Sequence, residues 1–310
     1  LSKPVRCVQE NRRKSRERGN EMIVTRLKGG LGNQLFQYAF GYTLAKRYGD
    51  ELKLDIEWFD GEGNVPWLTH RKYELDKFII PSASIIEHKK LPLKVRFFGH
   101  RFVRKPFEYL NVSRFYLGEW AVVGSDSKYD YLNLMQRPNI YLNGYYDNYA
   151  AIYLKESIDD LRKEFIPQKI SEKTQLLVNE VSSTDSTAIH VRRSDQLHSK
   201  GHLADLAYYK KAIEEVSRKK PNTIFYVFSD DIDWCKVQFA GLDRMKFVDN
   251  SDKNDAIGDF TSMMHCKNNI IAYSTYSWWA AMLNPNKDKM VISPAFYDSK
   301  GFLPDDWIQL

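Results

Sequence analysis

The pattern of apolar positions near the start of the chain predicts a strand, a helix and a second strand. The apolar run MIVTRL at 22–27 is followed by the glycine-rich segment KGGLGN and then by QLFQYAFGYTLAKRYG. In that last segment apolar residues recur at helical spacing from Leu35 to Leu44, and Gly49 stands where a helix would end. A second apolar run, ELKLDI, follows at 51–56. A strand–loop–helix–strand unit of this kind opens a parallel α/β sheet.

The second half of the chain alternates short apolar runs with helical segments. The runs AIHV at 188–191, NTIFYVFS, MKFVD, IIAYS and MVISP are typical of buried strands, and helices are predicted at 205–219, 255–266 and 276–283. Because strands that alternate with helices form parallel sheets, these residues predict a second α/β domain. Residues 56–150 show no such alternation and predict helices and irregular segments.

Charge is concentrated at the start of the chain. The 310 residues carry a formal net charge of +6, from 46 Lys or Arg and 40 Asp or Glu. Residues 1–20 hold seven of the basic and two of the acidic side chains, so residues 21–310 carry only +1, from 39 basic and 38 acidic side chains. We interpret 1–21, which is poor in apolar residues, as a disordered basic extension and predict two domains after it, at 22–150 and 151–310. A nearly neutral folded body argues against nucleic acid as a partner.

Cysteine usage and hydropathy exclude two further classes. The three cysteines, Cys7, Cys235 and Cys266, form no CxxC pair, which argues against a disulfide scaffold or a cysteine zinc site. The longest stretch without charge, 268–286, contains Asn, Ser, Thr and Pro, and it predicts a strand, a turn and a helix rather than a membrane span. Since the N-terminal residues also lack the apolar core of a signal peptide, we expect a cytoplasmic protein.

Three polar clusters directly follow predicted strands of the second domain. They are RRSD at 192–195, SDD at 229–231 and ST at 274–275. Because ligands of open α/β sheets bind beyond the carboxyl ends of the strands, these clusters predict a binding site there. The guanidinium groups of Arg192 and Arg193 suit a diphosphate, and the alternative is an ion pair at the strand end.

Other groups near these strand ends each allow two interpretations. His190 lies within its strand and is either a core histidine or a support for the arginines. Asp231 and Asp233 form a D-x-D pattern that would hold Mg²⁺ or Mn²⁺ against a nucleotide diphosphate, but we favour helix capping or a hydrogen bond to a nucleotide. The turn at Ser274 and Thr275 would either bind phosphate oxygens or cap an apolar helix.

The glycine-rich segment GGLGN half-matches a dinucleotide-binding fingerprint. Gly30 and Gly32 fit G-x-G and Asp55 ends the next strand, but a leucine occupies the third glycine position. The segment is therefore either a tight structural turn or a ligand-facing turn. In the second case the side-chain amides of Asn33 and Gln34 would hold a hydroxylated ligand.

Together these segments resemble a known family. GGLGNQLFQYAFG, HVRRSD, FSDD and DFTSMMHCKNNIIAYSTYSWWAAMLN are similar, in order and spacing across 22–310, to bacterial α-1,2-fucosyltransferases of glycosyltransferase family 11. The resemblance implies an α/β fold of the GT-B type, with two Rossmann-like domains facing across a cleft, the acceptor side at 22–150 and the GDP-fucose side at 151–310. It implies transfer of L-fucose, with inversion, from GDP-L-fucose to the 2-hydroxyl of a galactoside in an oligosaccharide or lipid-linked glycan.

The resemblance also implies roles for individual residues. In related enzymes the first arginine of the His-x-Arg-Arg motif holds the donor diphosphate, and here it is Arg192. We expect the donor-binding residues to be His190, Arg192, Arg193, Ser229, Asp230, Ser274, Thr275 and Ser277. We expect the acceptor-side or loop residues to be Gly30, Gly32, Asn33, Gln34 and Asp147. No essential metal or other cofactor is expected, because Arg192 can neutralise the diphosphate.

The attacking hydroxyl calls for a general base, and the sequence does not single one out. We place Arg192, Asp195 and His198 in the catalytic set, with His198, Asp147 and Asp195 as candidates for the base. A single displacement needs no enzyme nucleophile, which agrees with the lack of a Ser/His/Asp or Cys/His pattern. Two other functions stay open: a nicotinamide-dependent oxidoreductase, from the half fingerprint, and a noncatalytic carbohydrate-binding protein, from the 14% aromatic content.

A basic segment in the first domain raises a question of location. No acidic residue lies between Glu87 and Glu108, and seven Lys or Arg are interleaved there with Leu, Val and Phe. The stretch 89–107 predicts either a solvated basic helix over the core or a surface for an anionic membrane. In the second case the enzyme is peripheral at the inner face of the membrane, and its acceptor is a lipid-linked saccharide.

Overall fold

The chain divides into two compact units. Unit 1 is Leu1–Phe165 with Lys300–Phe302, and unit 2 is Ile166–Ser299 with Leu303–Leu310. The computed structural model describes residues 21–64, 70–100, 102–103, 106, 114–124, 139–193, 204–248, 256–295 and 301–310. Within these ranges, no helix combines the length and the apolar character that crossing a membrane requires.

Unit 1 is built on a six-stranded sheet. The strands of this unit are β1 (Met22–Arg26), β2 (Glu51–Asp55), β3 (Phe78–Ile79), β4 (Ala83–Ile85), β5 (Arg114–Leu117), β6 (Trp120–Gly124) and β7 (Asn139–Asn143). All but β3 join the sheet, in the order β4-β2-β1-β7-β6-β5, and only the β5–β6 pair is antiparallel. The helices are α1 (Leu31–Tyr48), α2 (Leu93–Gly99), α3 (Ala150–Tyr153) and α4 (Ile158–Glu164), with 3-10 turns at Glu57–Phe59, Leu75–Lys77, His88–Lys90 and Leu154–Glu156.

Strand β1 lies where the order of this sheet reverses. The chain passes from β1 to β2 on one side, whereas β7 pairs with β1 on the other side, with Ile23 opposite Ile140. The crevice beyond the carboxyl ends of two such strands is where open α/β sheets bind ligands. The segments that follow β1 and β7 therefore occupy the position of a binding site in unit 1.

Helix α1 packs closely on the first two strands, as the apolar spacing predicted. A Cβ atom on Gly41 would lie 2.2 Å from the Thr25 hydroxyl oxygen and 3.0 Å from a methyl carbon of Leu52, so only glycine allows this approach. The helix ends at Gly49, which has a left-handed φ of 70° and donates its N–H to the Ala45 carbonyl at 2.7 Å. This is the stop that the sequence predicted.

The stretch 56–150 differs from its prediction. Four strands of the sheet, β4 to β7, lie in this stretch, where helices and irregular segments were expected. Each has only three to five residues, and polar residues interrupt the apolar pattern, as in β7 with an asparagine at each end. The helical part of the prediction holds for α2.

The chain passes from unit 1 to unit 2 at 165/166, whereas the sequence placed the domain boundary at 150/151. Side chains of α1 hold the intervening helices. The Tyr38 hydroxyl donates to Glu164 at 2.6 Å, and the hydroxyl oxygens of Thr43 and Ser157 are 2.6 Å apart. These contacts of α4 are buried, and so are the rings of Phe40 on α1 and Tyr153 on α3, which lie 5.2 Å apart. Helices α3 and α4 therefore complete the core of unit 1 rather than begin unit 2.

A short segment close to residue 310 returns to unit 1. The N–H of Ala151 donates to the carbonyl of Gly301 at 2.9 Å, and the ring of Phe302 lies 6.0 Å from that of Phe36 on α1. Unit 1 is therefore completed by residues that follow most of unit 2 in the sequence.

Unit 2 has a six-stranded sheet in which all neighbouring strands are parallel. The strands of this unit are β8 (Ile166–Pro167), β9 (Ser186–Val191), β10 (Ile224–Ser229), β11 (Met245–Phe247), β12 (Asn268–Ile270), β13 (Val291–Ser293) and β14 (Ile308–Gln309). All but β8 join the sheet, in the order β11-β10-β9-β12-β13-β14. The helices are α5 (Glu172–Ser183), α6 (Leu206–Lys219), α7 (Ile232–Gln238), α8 (Ala256–His265) and α9 (Thr275–Leu283).

The alternation predicted for the second half is confirmed. Every residue of β9 is buried, as expected for a parallel strand that is covered on both faces. The strand before the Ser/Thr turn, β12, begins at Asn268, two residues before its predicted start at Ile270. The order of this sheet reverses between β9 and β12, which defines a second crevice beyond their carboxyl ends.

Candidate functional site

Two of the predicted clusters meet at the crevice of unit 2. Arg192 follows the last residue of β9, and Ser274 stands directly before α9, in the turn that follows β12. A guanidinium N–H of Arg192 donates to the Ser274 hydroxyl oxygen, with 3.4 Å between the two heavy atoms. The pairing of β9 with β12 therefore brings together two groups that are 82 residues apart in sequence.

The first turn of α9 offers backbone N–H groups at the same place. Ser274 is the N-cap residue, but its hydroxyl accepts no capping hydrogen bond in the described structure. The Ser277 hydroxyl lies 3.4 Å from the Ser274 carbonyl oxygen and 3.3 Å from the Ala272 amide nitrogen, so it shapes the turn from inside. Thr275 is the first helical residue. A helix N-terminus beside a guanidinium group is suited to bind an anion.

His190 is a buried, neutral side chain under this turn. Burial, together with the charge of Arg192, lowers the pKa of His190 to about 3. Its ring centroid lies 5.5 Å from that of Tyr276, and its Nδ1 has no hydrogen-bond partner among the residues that the structure describes. These observations support the interpretation of His190 as a core histidine, which packs against Tyr276 in the first turn of α9.

Arg193 occupies a different place from Arg192. Its Nε donates to Asp231 at 3.1 Å, and its guanidinium carbon lies 3.9 Å from the ring centroid of Trp234. Its backbone N–H donates to Asp230 at 2.9 Å. Arg193 therefore ties the carboxyl ends of β9 and β10 together, and the ion-pair alternative applies to it.

The D-x-D pattern is engaged within the protein. Asp231 caps α7 by accepting the Trp234 N–H at 3.3 Å, and its own N–H donates to the Ser229 hydroxyl at 3.0 Å. Asp233 pairs with Lys236 at 3.0 Å. Among the described residues no group of three or more His, Cys, Asp or Glu side chains is arranged to hold a metal ion.

The glycine-rich loop of unit 1 precedes α1, with Gly30 as the N-cap residue and Gly32 in the first turn. Gln34 is fully buried; its amide nitrogen donates to the carbonyls of Gly29 and Lys72, at 2.9 and 2.8 Å, and its amide oxygen accepts the Glu74 N–H at 2.9 Å. The expectation that Gln34 faces a ligand is therefore corrected, because three backbone groups occupy its amide.

The two other loop residues have different surroundings. Asn33 is partly exposed in the first turn of α1. A Cβ atom on Gly30 would lie 3.7 Å from the guanidinium group of Arg71, so a basic side chain approaches the loop. These positions agree with either alternative for the glycine-rich segment.

Asp55 is not placed as a ribose-binding carboxylate. It is fully buried and accepts hydrogen bonds from the Tyr141 hydroxyl at 2.6 Å, from the His88 ring at 2.7 Å and from the Glu57 N–H at 3.1 Å. Burial alone would raise the pKa of Asp55, but these bonds and the charge of Arg26 outweigh it and lower the pKa. Because this carboxylate is fully used in the core, the structure disfavours the nicotinamide alternative.

A second group of side chains lies at the crevice of unit 1. Lys28, after β1, donates to the Asn143 amide oxygen at 3.1 Å, and its ammonium lies 4.8 Å from the ring centroid of Tyr145. No sequence pattern indicated these three residues, because β7 was not predicted and its pairing with β1 cannot be read locally. The signal that could have found them is polar and aromatic residues at the two ends of one short apolar run, NIYLNGYYD.

Asp147 follows in the same loop, whose backbone is strained. Tyr146 and Tyr149 have left-handed φ angles of 59° and 61°, which non-glycine residues rarely adopt. Burial raises the pKa of the Asp147 carboxyl, although its own N–H and that of Asn148 oppose the shift. Of the proposed bases, Asp195 and His198 lie outside the described residues, and Asp147 lies within them.

Comparison with known proteins decides the family. The model of the family described as Glycosyl transferase family 11 matches residues 5–307. The chain belongs to glycosyl transferase family 11. This confirms the resemblance that the motifs indicated.

Relatives of this family 11 protein are found in bacteria and mammals. The O-antigen biosynthesis glycosyltransferase WbnK of Escherichia coli is 33% identical, covering 92% of this chain and 99% of its own length. An alpha-1,2-colitosyltransferase of the same organism is 28% identical, covering 93% and 99%. The galactoside 2-alpha-L-fucosyltransferase Sec1 of Mus musculus is 24% identical, covering 84% of this chain and 64% of its own length.

The fold of the family 11 protein is shared with a solved structure. A variant of Arabidopsis thaliana FUT1 in complex with GDP superposes with a TM-score of 0.53 at 12% identity, covering 92% of this chain and 74% of that one. Together with the two sheets, in which only the β5–β6 pair is antiparallel, this confirms the predicted α/β fold of the GT-B type, with a Rossmann-like sheet in each unit.

Proposed function

We propose that this family 11 enzyme transfers an L-fucosyl group from GDP-L-fucose, with inversion, to the 2-hydroxyl of a galactoside. The observation that carries the proposal is the junction of Arg192, Ser274 and the first turn of α9 at the crevice of unit 2. The names of the relatives support both the linkage and the acceptor, because they include an alpha-1,2-transferase and a galactoside 2-alpha-L-fucosyltransferase.

The junction would act on the leaving group. As the acceptor oxygen forms its bond to the anomeric carbon, the bond from that carbon to the diphosphate oxygen breaks and its electron pair leaves with GDP. Arg192 and the N–H groups of α9 would stabilise the charge that develops there, in a geometry set before the reaction. Thr275 and Ser274 would then contact the diphosphate, whereas Arg193, Ser229 and Asp230 would hold the strand ends that position Arg192.

We assign the general base to Asp147. A base must be ionised at working pH and must also accept a proton as the hydroxyl attacks, which favours a carboxylate whose pKa is raised by burial. Asp147 follows β7, at the crevice of the unit that we propose binds the acceptor. Tyr145 and Lys28 in the same crevice would supply an aromatic face and a donor for sugar hydroxyls. Asp195 and His198 stay the alternative bases.

The proposed reaction needs no metal ion. Asp231 and Asp233 already serve Arg193, α7 and Lys236, and Arg192 supplies the positive charge at the diphosphate. We expect full activity after exhaustive treatment with EDTA. Activity that is lost and then restored by Mn²⁺ or Mg²⁺ would instead show that the D-x-D carboxylates bind a metal ion.

The test is a product analysis with a matched acceptor. The enzyme is incubated with GDP-L-fucose and either lactose or its analogue that lacks the 2-hydroxyl on galactose, and the linkage is read by NMR. We expect an α-1,2 product with lactose or another galactose-terminated disaccharide and none with the deoxy analogue. Fucosylation of the deoxy analogue would exclude the 2-hydroxyl, and stabilisation of the protein by NAD but not by GDP would restore the oxidoreductase alternative.

A second donor follows from one relative. The alpha-1,2-colitosyltransferase covers 93% of this chain, so a colitosyl donor is the competing candidate at the same site. Competition between GDP-L-fucose and GDP-colitose in one reaction decides between them, because the ratio of products gives the ratio of kcat/KM values. The cytoplasmic location stays a prediction.

A further inference from the structure

Helix α2 presents apolar side chains to solvent. Leu93 and Phe97, four residues apart and hence on one face, are 72% and 58% exposed, and Phe102 beyond the helix is 78% exposed. Phe102 stacks on the ring of His100 at 5.6 Å between centroids. Single exposed apolar residues are ordinary, but three within ten residues form a patch that needs an explanation.

The helix is firmly held on the sheet. Leu91 and Val95 are buried in the apolar cluster that contains Val122 and Tyr141, and a Cβ atom on Gly99 would lie 2.8 Å from the Tyr141 ring. The apolar patch is therefore a rigid feature of unit 1. The exposed side chains cannot turn inward, because the inward face of α2 is already filled.

The patch lies in a segment of one charge. Residues 88–106 contain seven Lys or Arg and no Asp or Glu. Lys89 and Lys90 pair with Glu87, whereas Lys94, between the two exposed apolar residues of α2, is exposed and pairs with no acidic residue of the described chain. Arg101, Arg104 and Lys105 lie outside the described residues and enter only as charges in the sequence.

We propose that this surface, defined by Leu93, Lys94, Phe97 and Phe102 and called here the α2 surface, docks the protein on an anionic lipid bilayer. A bilayer of this kind offers an apolar interior for the leucine and phenylalanines and negative headgroups for the lysine. A second copy that met this surface with its own α2 surface would bring like charges together, and a nucleic acid would leave the apolar side chains uncovered. Charge complementarity therefore selects the anionic bilayer.

Docking would also define the form of the acceptor. If the proposed galactoside transfer is correct, a protein held at a bilayer by unit 1 would act on a galactoside carried by a lipid. This second step rests on the proposed function, whereas docking itself does not. A test of docking that uses no sugar keeps the two apart.

The experiment is flotation of the full chain with vesicles of phosphatidylcholine alone or with phosphatidylglycerol at a quarter of the lipid, in low salt. The basic extension is present in every variant, so differences between variants report the α2 surface. We expect flotation with the anionic vesicles only. The double variant Leu93→Ser/Phe97→Ser should bind about tenfold more weakly, and Lys94→Glu about five- to tenfold more weakly.

Matched controls come from unit 2. Leu176→Ser removes an apolar side chain that is 64% exposed, and Lys210→Glu reverses an exposed lysine on α6. Both should float like the unchanged protein. Thermal unfolding and transfer to a small soluble galactoside, unchanged in the α2 variants, would show that they fold.

Three outcomes would overturn docking through α2. They are no flotation with either vesicle, equal flotation of the α2 variants and the unchanged protein, and loss of binding in the controls as well. A dimer in solution that the double variant dissociates, without flotation, would assign the surface to a second copy. None of these outcomes bears on fucosyl transfer, which is measured separately.

Discussion

Adjacent arginines at the end of β9 are directed to different tasks. Successive residues that leave a strand point in opposite directions, so Arg192 reaches Ser274 while Arg193 reaches Asp231 and Trp234. The sequence assigned the diphosphate first to Arg192, and in the structure the two guanidinium groups contact different partners. The difference gives each arginine a distinct expected phenotype.

We predict that Arg192→Ala lowers kcat by at least about a hundredfold, which corresponds to roughly 3 kcal/mol of lost charge stabilisation. It should also reduce the thermal stabilisation by GDP. Arg193→Ala should lower the melting temperature while leaving most of kcat, because it loses an ion pair and a stacking contact away from α9. Equal losses of kcat in folded forms of the two variants would contradict this division.

The raised pKa of Asp147 predicts how the activity depends on pH. An aspartate titrates near pH 3.9 in a peptide, and burial raises the pKa here, so the base loses its charge at a higher pH than usual. We expect kcat/KM to fall as the pH drops through that raised pKa. Asp147→Asn should lower kcat by about 10²- to 10⁴-fold and abolish this acid limb.

The control is Asp159→Asn, on α4 of the same unit, where an exposed carboxylate pairs with Arg162. It should leave the pH profile unchanged. If Asp147→Asn keeps the acid limb, the titrating base is another group, with Asp195 and His198 next to be tested.

At the scale of elements, the contact of α1 with β1 depends on one missing side chain. Alanine normally stabilises a helix by about 1 kcal/mol relative to glycine, so Gly41→Ala would raise stability if space allowed. The 2.2 Å approach to the Thr25 hydroxyl leaves no space. We therefore predict a loss of about 1–3 kcal/mol in the free energy of unfolding, measured by denaturant titration.

The double variant Gly41→Ala/Thr25→Ala is the companion measurement, because it removes the oxygen that the new methyl group would meet. It should recover stability relative to Gly41→Ala. A rise in stability for Gly41→Ala alone would show that α1 does not pack as described.

The elements also show which parts of the fold the sequence can predict. Strand β10 begins with five consecutive apolar residues, and β9 contains Ala188, Ile189 and Val191, so both patterns are visible in the sequence. Strand β7, with five residues and an asparagine at each end, is not. Its pairing with β1 joins residues more than a hundred positions apart, and no local pattern encodes that choice. The junction of Arg192 with Ser274 followed from predicted strands, whereas the contacts of Lys28 with Asn143 and Tyr145 required the sheet order.

At the scale of the whole molecule, the reactivity of the two described cysteines measures the opening of unit 2. Beyond Cys7, the chain has Cys235 and Cys266, both buried and free and both in unit 2. Burial raises the pKa of these thiols to about 11 and about 12, so neither forms the reactive thiolate near neutral pH. A thiol reagent should reach them only when unit 2 opens.

We predict that the Cys7→Ser variant is unreactive in the folded state and exposes two thiols when denatured. GDP should slow native-state labelling by the factor 1 + [GDP]/Kd, because it binds the folded site and not the opened one. Labelling that is fast, or that GDP does not slow, would show that these thiols become exposed without the opening of a GDP-binding site.

Gly301 and Phe302 are synthesised long after the rest of unit 1 that they contact. A ribosome delivers the sheet of unit 1 once residue 143 has emerged, yet the partners of Ala151 and Phe36 at Gly301 and Phe302 come only after most of unit 2 has been made. While about 150 further codons are translated, the nascent unit 1 lacks the contacts of Ala151 with Gly301 and of Phe36 on α1 with Phe302. Domains usually fold one after another during synthesis, the N-terminal one first, but here the packing of the N-terminal unit is completed by residues near position 310. Slow codons in the second half of the message would therefore lengthen the time during which Phe36 and the Ala151 N–H lack these two partners.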